Sequence, residues 1–206
     1  MTNSDKSNLI DYSFIEIGCS DFETLIQSAT DEAVGLSVEP LQFYLNRLPD
    51  KKGVTKCCCA LTTNKKEDTI DIYYIPPDVI EKYNMPYWLR GCNRIGCFHG
   101  LHVQHNLQPF VKIEKVKLLN VDEFWQLHKV RSVGFLKTDT EGVDDVILNG
   151  LLDYLQDKGK EFYPKKIMFE SNEHTPTENV DKLLERFYKA GYKLVSRGYD
   201  TIVALE

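Results

Sequence analysis

Residues 13–29 read SFIEIGCSDFETLIQSA, and this stretch indicates the class of fold. An apolar run of strand length, SFIEIG, ends at Gly18. The apolar residues that follow recur at i, i+3, i+4 and i+7, as Phe22, Leu25, Ile26 and Ala29. This spacing predicts a strand followed by a helix with one buried face. Ser20 and Glu23 have the spacing of a capping box, which predicts that the helix begins at Ser20.

Runs of strand length alternate with segments of helical period along the rest of the chain. Further strands are predicted in AVGLSVEP (33–40), VTKCCCAL (54–61), VGFLKTD (133–139) and KIMFES (166–171). The alternation predicts an α/β fold with a mainly parallel sheet. The last segment, YKLVSRGYDTIVAL (192–205), predicts a hairpin that turns at Arg197-Gly198. Cys57, Cys58 and Cys59 fall within a predicted strand, so we expect them to be buried packing residues.

Residues 78–110 depart from this alternation. The segment contains the proline breaks MPYW and QPF and shows no sustained periodicity. We interpret it as an insertion or lid over the sheet edge or the active face, within a single domain spanning residues 1–206. Its cysteines and histidines also allow a zinc interpretation, which we disfavour because the spacing matches no regular finger: Cys92, Cys97, His99, His102 and His105.

Composition excludes several classes of function. The 25 Lys and Arg residues against 31 Asp and Glu residues give a net charge of -6, which lacks the positive footprint of nucleic-acid binding. The N-terminus is polar and no apolar run approaches the length of a membrane span, so we expect neither a leader nor a membrane partner. Six cysteines, three of them consecutive, fit a reducing compartment and predict a cytoplasmic protein.

Polar residues follow four of the predicted strands. In an open α/β sheet the ligand lies beyond the carboxyl ends of the strands, where the strand order reverses. The candidates at these ends are Glu16, Gly18, Glu39, Asp139, Glu141, Glu170 and Asn172. Glu39 follows Gly18 by 21 residues, close to the spacing of the acidic residue that binds a ribose diol in nucleotide-binding βαβ units. This spacing favours an adenosine-containing ligand.

Charge distinguishes between adenosine-containing ligands. A dinucleotide needs its pyrophosphate at a helix N-terminus reached over G-x-G-x-x-G, but this chain has only Gly18 of the three glycines and places Asp21 in the predicted first turn. Two like charges about 4 Å apart cost about 4 kcal/mol at an effective dielectric of 20. S-adenosylmethionine has no phosphate and carries two cationic groups, so it suits an acidic site better. The alternative is structural: Glu16 pairs with a nearby turn and Glu39 is a solvated strand end.

Several segments together resemble a known family. FIEIGCSDFETL, LSVEPLQFYLNRL, FLKTDTEGVDDVILNG, IMFESNE and AGYKL occur in this order between residues 13 and 205. In order and spacing they resemble the FkbM-type methyltransferases, and the most specific parts are K-x-D-x-E-G at 137–142 and Glu39-Pro40. The resemblance implies a Rossmann-like class I methyltransferase fold with a seven-stranded sheet, helices on both faces and S-adenosylmethionine as cofactor.

The resemblance also implies roles for individual residues. Glu16, Gly18 and Ser20 would line the methionine end of the cofactor, and Glu39 would hold the ribose hydroxyls. The adenine would be bordered by Pro40, Leu41, Ala60 and Leu61. Asp139 would face the methyl group and the acceptor. The chain departs from the family at Glu16, Cys19 and Phe22, which leaves the contacts of the first loop open.

The chemistry expected at such a site is methyl transfer to a hydroxyl group, for which the protein must position the acceptor and remove a proton. We favour Asp139 as the base, with His102 or His105 as rivals. Glu141, Glu170, Asn172 and Trp88 are expected to contact the acceptor. Asp139, Glu141 and Asn172 are candidate Mg²⁺ ligands, although Glu141 can equally tie down its own loop.

The resembled family largely modifies sugars, so the leading hypothesis is O-methylation of a sugar, such as a deoxyhexose of a glycan. One alternative is a nicotinamide-dinucleotide-dependent oxidoreductase. Another is a non-catalytic domain that binds cofactor or glycan within a larger assembly with glycosyltransferases. These alternatives predict different ligands and different effects of changing Asp139.

Overall fold

The computed structural model describes residues 8–172 and 175–206. The polar N-terminus used above to argue against a leader, residues 1–7, lies outside the described part. The strands are β1 (Ile10–Ile17), β2 (Gly35–Val38), β3 (Val54–Cys57), β4 (Ala60–Thr62), β5 (Thr69–Tyr74), β6 (Arg94–Ile95), β7 (Lys112–Asn120), β8 (Val130–Thr138), β9 (Lys166–Glu170), β10 (Tyr192–Arg197) and β11 (Asp200–Leu205). The α-helices are α1 (Leu25–Ser28), α2 (Gln42–Leu45), α3 (Pro77–Lys82), α4 (Gly100–Gln104), α5 (Val121–Leu127), α6 (Asp144–Leu155) and α7 (Thr177–Lys189). Short 3-10 helices cover Tyr87–Arg90, Gln108–Phe110 and Lys160–Phe162. Within these described ranges no helix is both long and apolar enough to span a bilayer.

A seven-stranded sheet forms the centre of the fold, in the order β10-β11-β9-β8-β1-β2-β3. The pairs from β9 to β3 are all parallel, whereas β11 runs antiparallel to both β9 and β10. The predicted mainly parallel sheet and the C-terminal antiparallel hairpin are therefore confirmed. The arrangement is compatible with a Rossmann-like methyltransferase fold.

Helices cover both faces of this sheet, but unequally. On one face Ile15 and Ile17 of β1 pack with apolar residues of α5, α6 and α7, among them Phe124 and Leu151. On the other face Phe14 packs with the much shorter α1 and α2, through residues such as Ile26 and Leu45. Alternate residues of β1 thus enter two separate cores, as expected for a strand in the middle of the sheet.

The strand order reverses between β1 and β8. From β1 the chain adds β2 and β3 on one side, and it later returns to add β8 and β9 on the other. Ile17 of β1 pairs with Val38 of β2 and with Thr138 of β8, and Thr138 pairs in turn with Phe169 of β9. The residues immediately after these four positions therefore meet at one edge, which is where ligands bind in open α/β sheets.

A second sheet lies between β3 and β8 in the sequence, with the strand order β4-β7-β5-β6. The prediction of one strand over residues 54–61 is wrong, because the chain leaves the main sheet after Cys57 and pairs β4 with β7 instead. The cysteines lie at this transition. Cys57 and Cys59 are buried as expected, but Cys58, between them in the link from β3 to β4, is exposed, so the prediction for Cys58 is wrong.

Residues 78–110 form short helices and the two-residue strand β6 rather than a regular layer. Ile80, Leu89 and Cys92 are buried together with Ile75 in a small core of their own. Polar contacts described below join this segment to the strand ends of the main sheet. The prediction that residues 1–206 are a single domain, with 78–110 as its insertion or lid, stays a prediction.

Candidate functional site

The backbones of β1 and β8 lie so close together just after the two strands end that no side chain fits between them. Gly18 has a φ of +80°, and a Cβ atom added there would lie 1.9 Å from the carbonyl oxygen of Asp139. The backbone N–H of Gly18 donates to the Val38 carbonyl at 2.9 Å, and that of Asp139 donates to the Ile17 carbonyl at 2.9 Å. A glycine is required at position 18 because any side chain would collide with the neighbouring strand end.

A cavity opens at this edge, with about 530 Å³ of empty space when the solvent at its mouth is included. We call it the strand-end cavity. Eight of the predicted site residues line it: Gly18, Ser20, Glu39, Pro40, Ala60, Leu61, Asp139 and Glu141. Its other lining residues are Ile17, Cys59, Ile72, Gly91, Asn93, Ile95, Thr140, Val143 and Ile147. The second sheet and the segment 78–110 thus supply the wall opposite the main sheet.

Glu39 joins the turns that follow β1 and β2. One carboxylate oxygen, Oε2, accepts the backbone N–H of Ser20 at 2.9 Å, and Oε1 accepts that of Leu41 at 2.9 Å. The side chain is 4% exposed, and burial raises the pKa of Glu39 to about 7, although both hydrogen bonds oppose the rise. A carboxylate has about four acceptor positions, so two stay available for a ligand. Glu39 is therefore a buried residue facing the cavity and not a solvated strand end.

Glu16 does not line the cavity. Its side chain is fully buried, with Oε1 3.0 Å from Lys137 Nζ and Oε2 accepting the backbone N–H of Leu25 at 2.8 Å. Burial raises the pKa of Glu16, and the charge of Lys137 opposes this rise. Both oxygens of Glu16 thus bind protein groups, and the implied contact with the methionine end of a cofactor stays a prediction. Leu41 is also absent from the cavity wall: its side chain is buried in the core around Tyr44, and only its N–H reaches Glu39.

The turn after β1 also differs from the prediction. Helix α1 begins at Leu25, not at Ser20, and its capping box is formed by Thr24 and Gln27. Ser20 and Glu23 both have positive φ angles, 47° and 53°, which exclude a helix over these residues. The N–H of Ser20 binds Glu39, and the first helical N–H binds Glu16, so long-range carboxylates determine where the helix starts.

Asp21 lies in this turn, and its carboxylate is paired with two arginines. It pairs with Arg47 at 3.1 Å between Nη1 and Oδ2, and with Arg90 from the segment 78–110. The expectation that Asp21 repels a pyrophosphate by its own charge is therefore wrong. A pyrophosphate meets a different obstacle here. Helix α1 is only four residues long, and its first N–H, that of Leu25, already donates to Glu16, so its N-terminus offers little to bind a phosphate.

Three carboxylates meet at the ends of β8 and β9. Asp139, Glu141 and Glu170 each place an oxygen within 4.8 Å of the others. The sequence predicts Asp139, Glu141 and Asn172 as candidate metal ligands. The structure brings Glu170 into the group instead, and Asn172 Nδ2 donates to Glu170 Oε1 at 2.5 Å.

Burial and mutual repulsion dominate the electrostatics of this cluster. The pKa of Glu170 is raised to about 9, by burial first and then by the charges of Glu141, Asp144 and Asp139. The pKa of Asp139 is also raised, mainly by burial, while Lys137 opposes the rise. A raised pKa makes an ionised carboxylate a better proton acceptor, so Asp139 can carry out general base chemistry.

His99 and Asp144 support this cluster, and sequence reasoning assigned neither role. The backbone N–H of Leu101 donates to His99 Nδ1 at 3.1 Å, so the hydrogen of a neutral imidazole is on Nε2. That nitrogen lies 2.8 Å from Glu141 Oε2 and donates to it. Asp144 Oδ2 accepts from the N–H and the hydroxyl of Thr140, which fixes the turn carrying Asp139. The acidic residue in the first turn of α6 was the available signal for Asp144.

The two histidines predicted as rival bases lie elsewhere. His102 is fully buried, and neither ring nitrogen has a hydrogen-bond partner among the described residues. Burial, together with the neighbouring His99, lowers the pKa of His102 to about 4. His105 is exposed at the end of α4, with its ring centroid 6.2 Å from that of Trp88. Neither lines the strand-end cavity, and across residues 8–172 and 175–206 no cluster of histidines and cysteines with metal-site geometry forms.

A second cavity, of about 740 Å³ with the solvent at its mouth included, adjoins the first and shares Gly18, Ser20, Gly91, Asp139 and Glu141 with it. We call it the adjoining cavity. Trp88, which is 47% exposed, lines it together with Phe22 and Glu170. Three of the four predicted acceptor contacts, Trp88, Glu141 and Glu170, thus surround one space. The fourth, Asn172, is not among the described residues that line this space, and its Nδ2 donates to Glu170 Oε1.

Comparison with known proteins gives little. No family model matches this chain, and no curated protein matches it. Among solved structures, it is similar to "Human methyltransferase 10 domain containing protein", with 12% sequence identity and a TM-score of 0.36. The alignment covers 100% of this chain and 75% of that chain. Such a likeness carries no argument about activity, which has to be argued from the site.

Proposed function

We propose that this chain is an S-adenosylmethionine-dependent O-methyltransferase. The charge of the strand-end cavity carries the proposal. Glu39, Asp139 and Glu141 line it, and its described lining residues include no lysine or arginine. Sulfonium and ammonium groups are attracted to such a wall, whereas a phosphate would be repelled.

The rest of the cavity fits the nucleoside part of the same cofactor. Glu39 keeps two acceptor positions, which suit the two hydroxyls of a ribose. Pro40, Ala60, Leu61 and Ile72 form an apolar wall that suits a purine ring. The resemblance of Glu39-Pro40 and of residues 137–142 to FkbM-type methyltransferases supports the same assignment.

Asp139 is proposed as the general base. When bound, S-adenosylmethionine would supply an electrophilic methyl group to the acceptor oxygen, with S-adenosylhomocysteine as the leaving group. Asp139 lines both cavities and has a raised pKa, so it is placed to take the hydroxyl proton. His99 would hold Glu141 in place beside it.

The acceptor is proposed to be a sugar hydroxyl, such as that of a deoxyhexose in a glycan. The adjoining cavity supports this choice, because Trp88 offers an aromatic face and Glu141 and Glu170 offer hydrogen-bond acceptors. Action together with glycosyltransferases and a cytoplasmic location are parts of the same proposal. All six cysteines are unpaired thiols, which supports a reducing compartment.

Calorimetry with S-adenosylhomocysteine, the demethylated product, tests the proposal. We expect saturable binding to the wild-type protein and at least about tenfold weaker binding to Glu39→Gln, because an amide cannot accept from both turns and a diol (about 1.4 kcal/mol for tenfold). The exposed Glu32→Gln is the matched control and should bind as the wild type does. Binding of NAD in place of S-adenosylhomocysteine would support an oxidoreductase and refute the proposal.

A second variant separates an enzyme from a binding domain. Asp139→Asn should still bind S-adenosylhomocysteine but lose methyl transfer to sugar acceptors by about 100-fold or more, the usual contribution of a general base. A wild-type protein that binds the cofactor, with no turnover on any hydroxylated acceptor, would instead favour the non-catalytic alternative.

A further inference from the structure

We propose that Asp139, Glu141 and Glu170 bind one divalent cation at the boundary of the two cavities. The cation deepens the proposed function, since it would lie where the acceptor is expected. The role of the cation in catalysis therefore rests on the proposed methyltransferase function, whereas the binding of the cation does not.

The position of the three carboxylates is the first observation. They come from two strand ends, Asp139 and Glu141 from the turn after β8 and Glu170 from the end of β9, and an oxygen of each lies within 4.8 Å of the others. Glu141 reaches this place only because its backbone has a φ of 56°, next to Gly142 with a φ of 98°. The lysine that lines the adjoining cavity, Lys137, is hydrogen-bonded to Glu16, with 3.0 Å between Lys137 Nζ and Glu16 Oε1.

An unsatisfied oxygen of Glu170 is the second observation. Glu170 is 8% exposed, and its Oε2 atom is buried with no hydrogen-bond partner among the described residues. The other oxygen is held by Asn172. A buried carboxylate oxygen without a partner is costly, and a cation between the three carboxylates would satisfy it.

The surroundings resemble those of metal ligands in proteins. Carboxylates that bind metals are usually held by further hydrogen bonds, and here His99 Nε2 donates to Glu141 while Asn172 donates to Glu170. All candidate ligand atoms are carboxylate oxygens, which select Mg²⁺, Mn²⁺ or Ca²⁺ over zinc or copper. Asp139 has two oxygens, so it can bind the cation with one and accept a proton with the other.

The cation also indicates the kind of acceptor. A hard divalent ion keeps several coordination positions for water or substrate oxygens. When bound, it would acidify a coordinated hydroxyl group. An acceptor with two neighbouring hydroxyls fits this geometry better than a lone alcohol or an amine.

Electron paramagnetic resonance with MnCl₂ tests the site directly. Free Mn²⁺ gives a six-line signal that weakens on binding, so titration of chelator-treated protein reports stoichiometry and affinity. We expect one Mn²⁺ per chain with a Kd below about 1 mM, displaced by MgCl₂. Glu170→Gln should weaken binding at least about tenfold, and the exposed Glu185→Gln should leave it unchanged.

Thermal unfolding without metal guards against a folding artefact. Glu170→Gln keeps the size of the side chain and the hydrogen bond from Asn172, so its Tm should be close to that of the wild type. Asp139→Asn should likewise lose Mn²⁺ binding. Unchanged Mn²⁺ affinity in either folded variant, or no saturable binding to the wild type, would overturn the proposal. Binding of S-adenosylhomocysteine in the presence of EDTA tests the proposed function separately.

Discussion

Glu16 and Glu39 are both buried carboxylates beside the same turn, yet they do different things. Lys137 and the N–H of Leu25 use both oxygens of Glu16, whereas Glu39 accepts two N–H groups and has no cationic partner within residues 8–172 and 175–206. Residue type and position at a strand end predict both as ligand contacts. The position of the Lys137 side chain, on a strand distant in sequence, distinguishes Glu16, which pairs with it, from Glu39, which lines the strand-end cavity.

His102 provides a test at the scale of one residue. Its pKa is lowered to about 4, below the value of about 6.5 in an unfolded chain, so between these pH values the unfolded state takes up a proton that the folded state excludes. Wild-type protein should therefore lose roughly 2–3 kcal/mol of unfolding free energy, relative to His102→Phe, as the pH falls from 6.5 to 4. Urea unfolding of both proteins at several pH values measures this difference.

The same variant tests the choice of base. Because His102 lines neither cavity, His102→Phe should keep methyl transfer within about twofold of wild type, for a folded protein at pH 7.5. A folded His102→Phe protein that has lost turnover but still binds the cofactor would make His102 the base and displace Asp139.

At the scale of elements, the turn from β1 to α1 shows what local patterns miss. Ser20 and Glu23 have the spacing of a capping box, but the true box is formed by Thr24 and Gln27. The local signal failed because carboxylates outside this segment bind its N–H groups. Glu39, directly after β2, accepts the N–H of Ser20, and Glu16, in β1, accepts that of Leu25. The end of the strand at Gly18, in contrast, was predictable because a glycine is needed where two strand ends touch.

Gly18→Ala tests that close approach. The added Cβ would meet the Asp139 carbonyl at 1.9 Å in a backbone with φ +80°, so we expect a loss of about 2 kcal/mol or more of unfolding free energy. Gly100→Ala is the control, because nothing lies within 4 Å of its Cβ and the residue begins α4. That variant should be neutral or slightly stabilising. Equal Tm values for the two variants would contradict the steric argument.

The ion pair between Glu16 and Lys137 joins β1, β8 and the start of α1. Glu16 is fully buried and the Lys137 side chain is 12% exposed, so Lys137→Met leaves a buried charge and should cost about 3–5 kcal/mol. Adding Glu16→Gln should recover part of this loss. A double-mutant cycle by urea unfolding measures the coupling, and additive effects of the two changes would show that the pair contributes nothing.

For the whole molecule, the sequence predicts the main sheet but not the second one. Alternating strand and helix patterns, with acidic residues after the strands, are enough to bring Gly18, Glu39 and Asp139 to one edge, because parallel strands end on the same side. The second sheet was missed because no turn or break signal interrupts VTKCCCAL, although the chain passes from the main sheet to the second sheet at Cys58. The sequence also could not predict that His99 donates to Glu141 or that Glu170 joins Asp139 and Glu141, because the fold brings these side chains together from distant segments.

The segment 78–110 is predicted to act as a lid. Arg90 pairs with Asp21 in the turn after β1, and His99 donates to Glu141, which lines the strand-end cavity, so the segment contacts the candidate site at two points. Bound S-adenosylhomocysteine should slow proteolytic cleavage after exposed residues of the segment, such as Lys82 and Tyr83, by about tenfold. Mass spectrometry of the fragments locates the cuts. Equal rates with and without the ligand would exclude a lid.

The way in which the second sheet is inserted has a consequence for variation among related chains. Everything between β3 and β8 leaves the main sheet at its edge strand β3 and returns to it at β8, beside β1, and it forms the wall opposite Gly18 and Asp139. One continuous stretch of gene therefore encodes that wall. Recombination or drift within this stretch can reshape what enters the site while the strands that carry Glu39 and Asp139 keep their register.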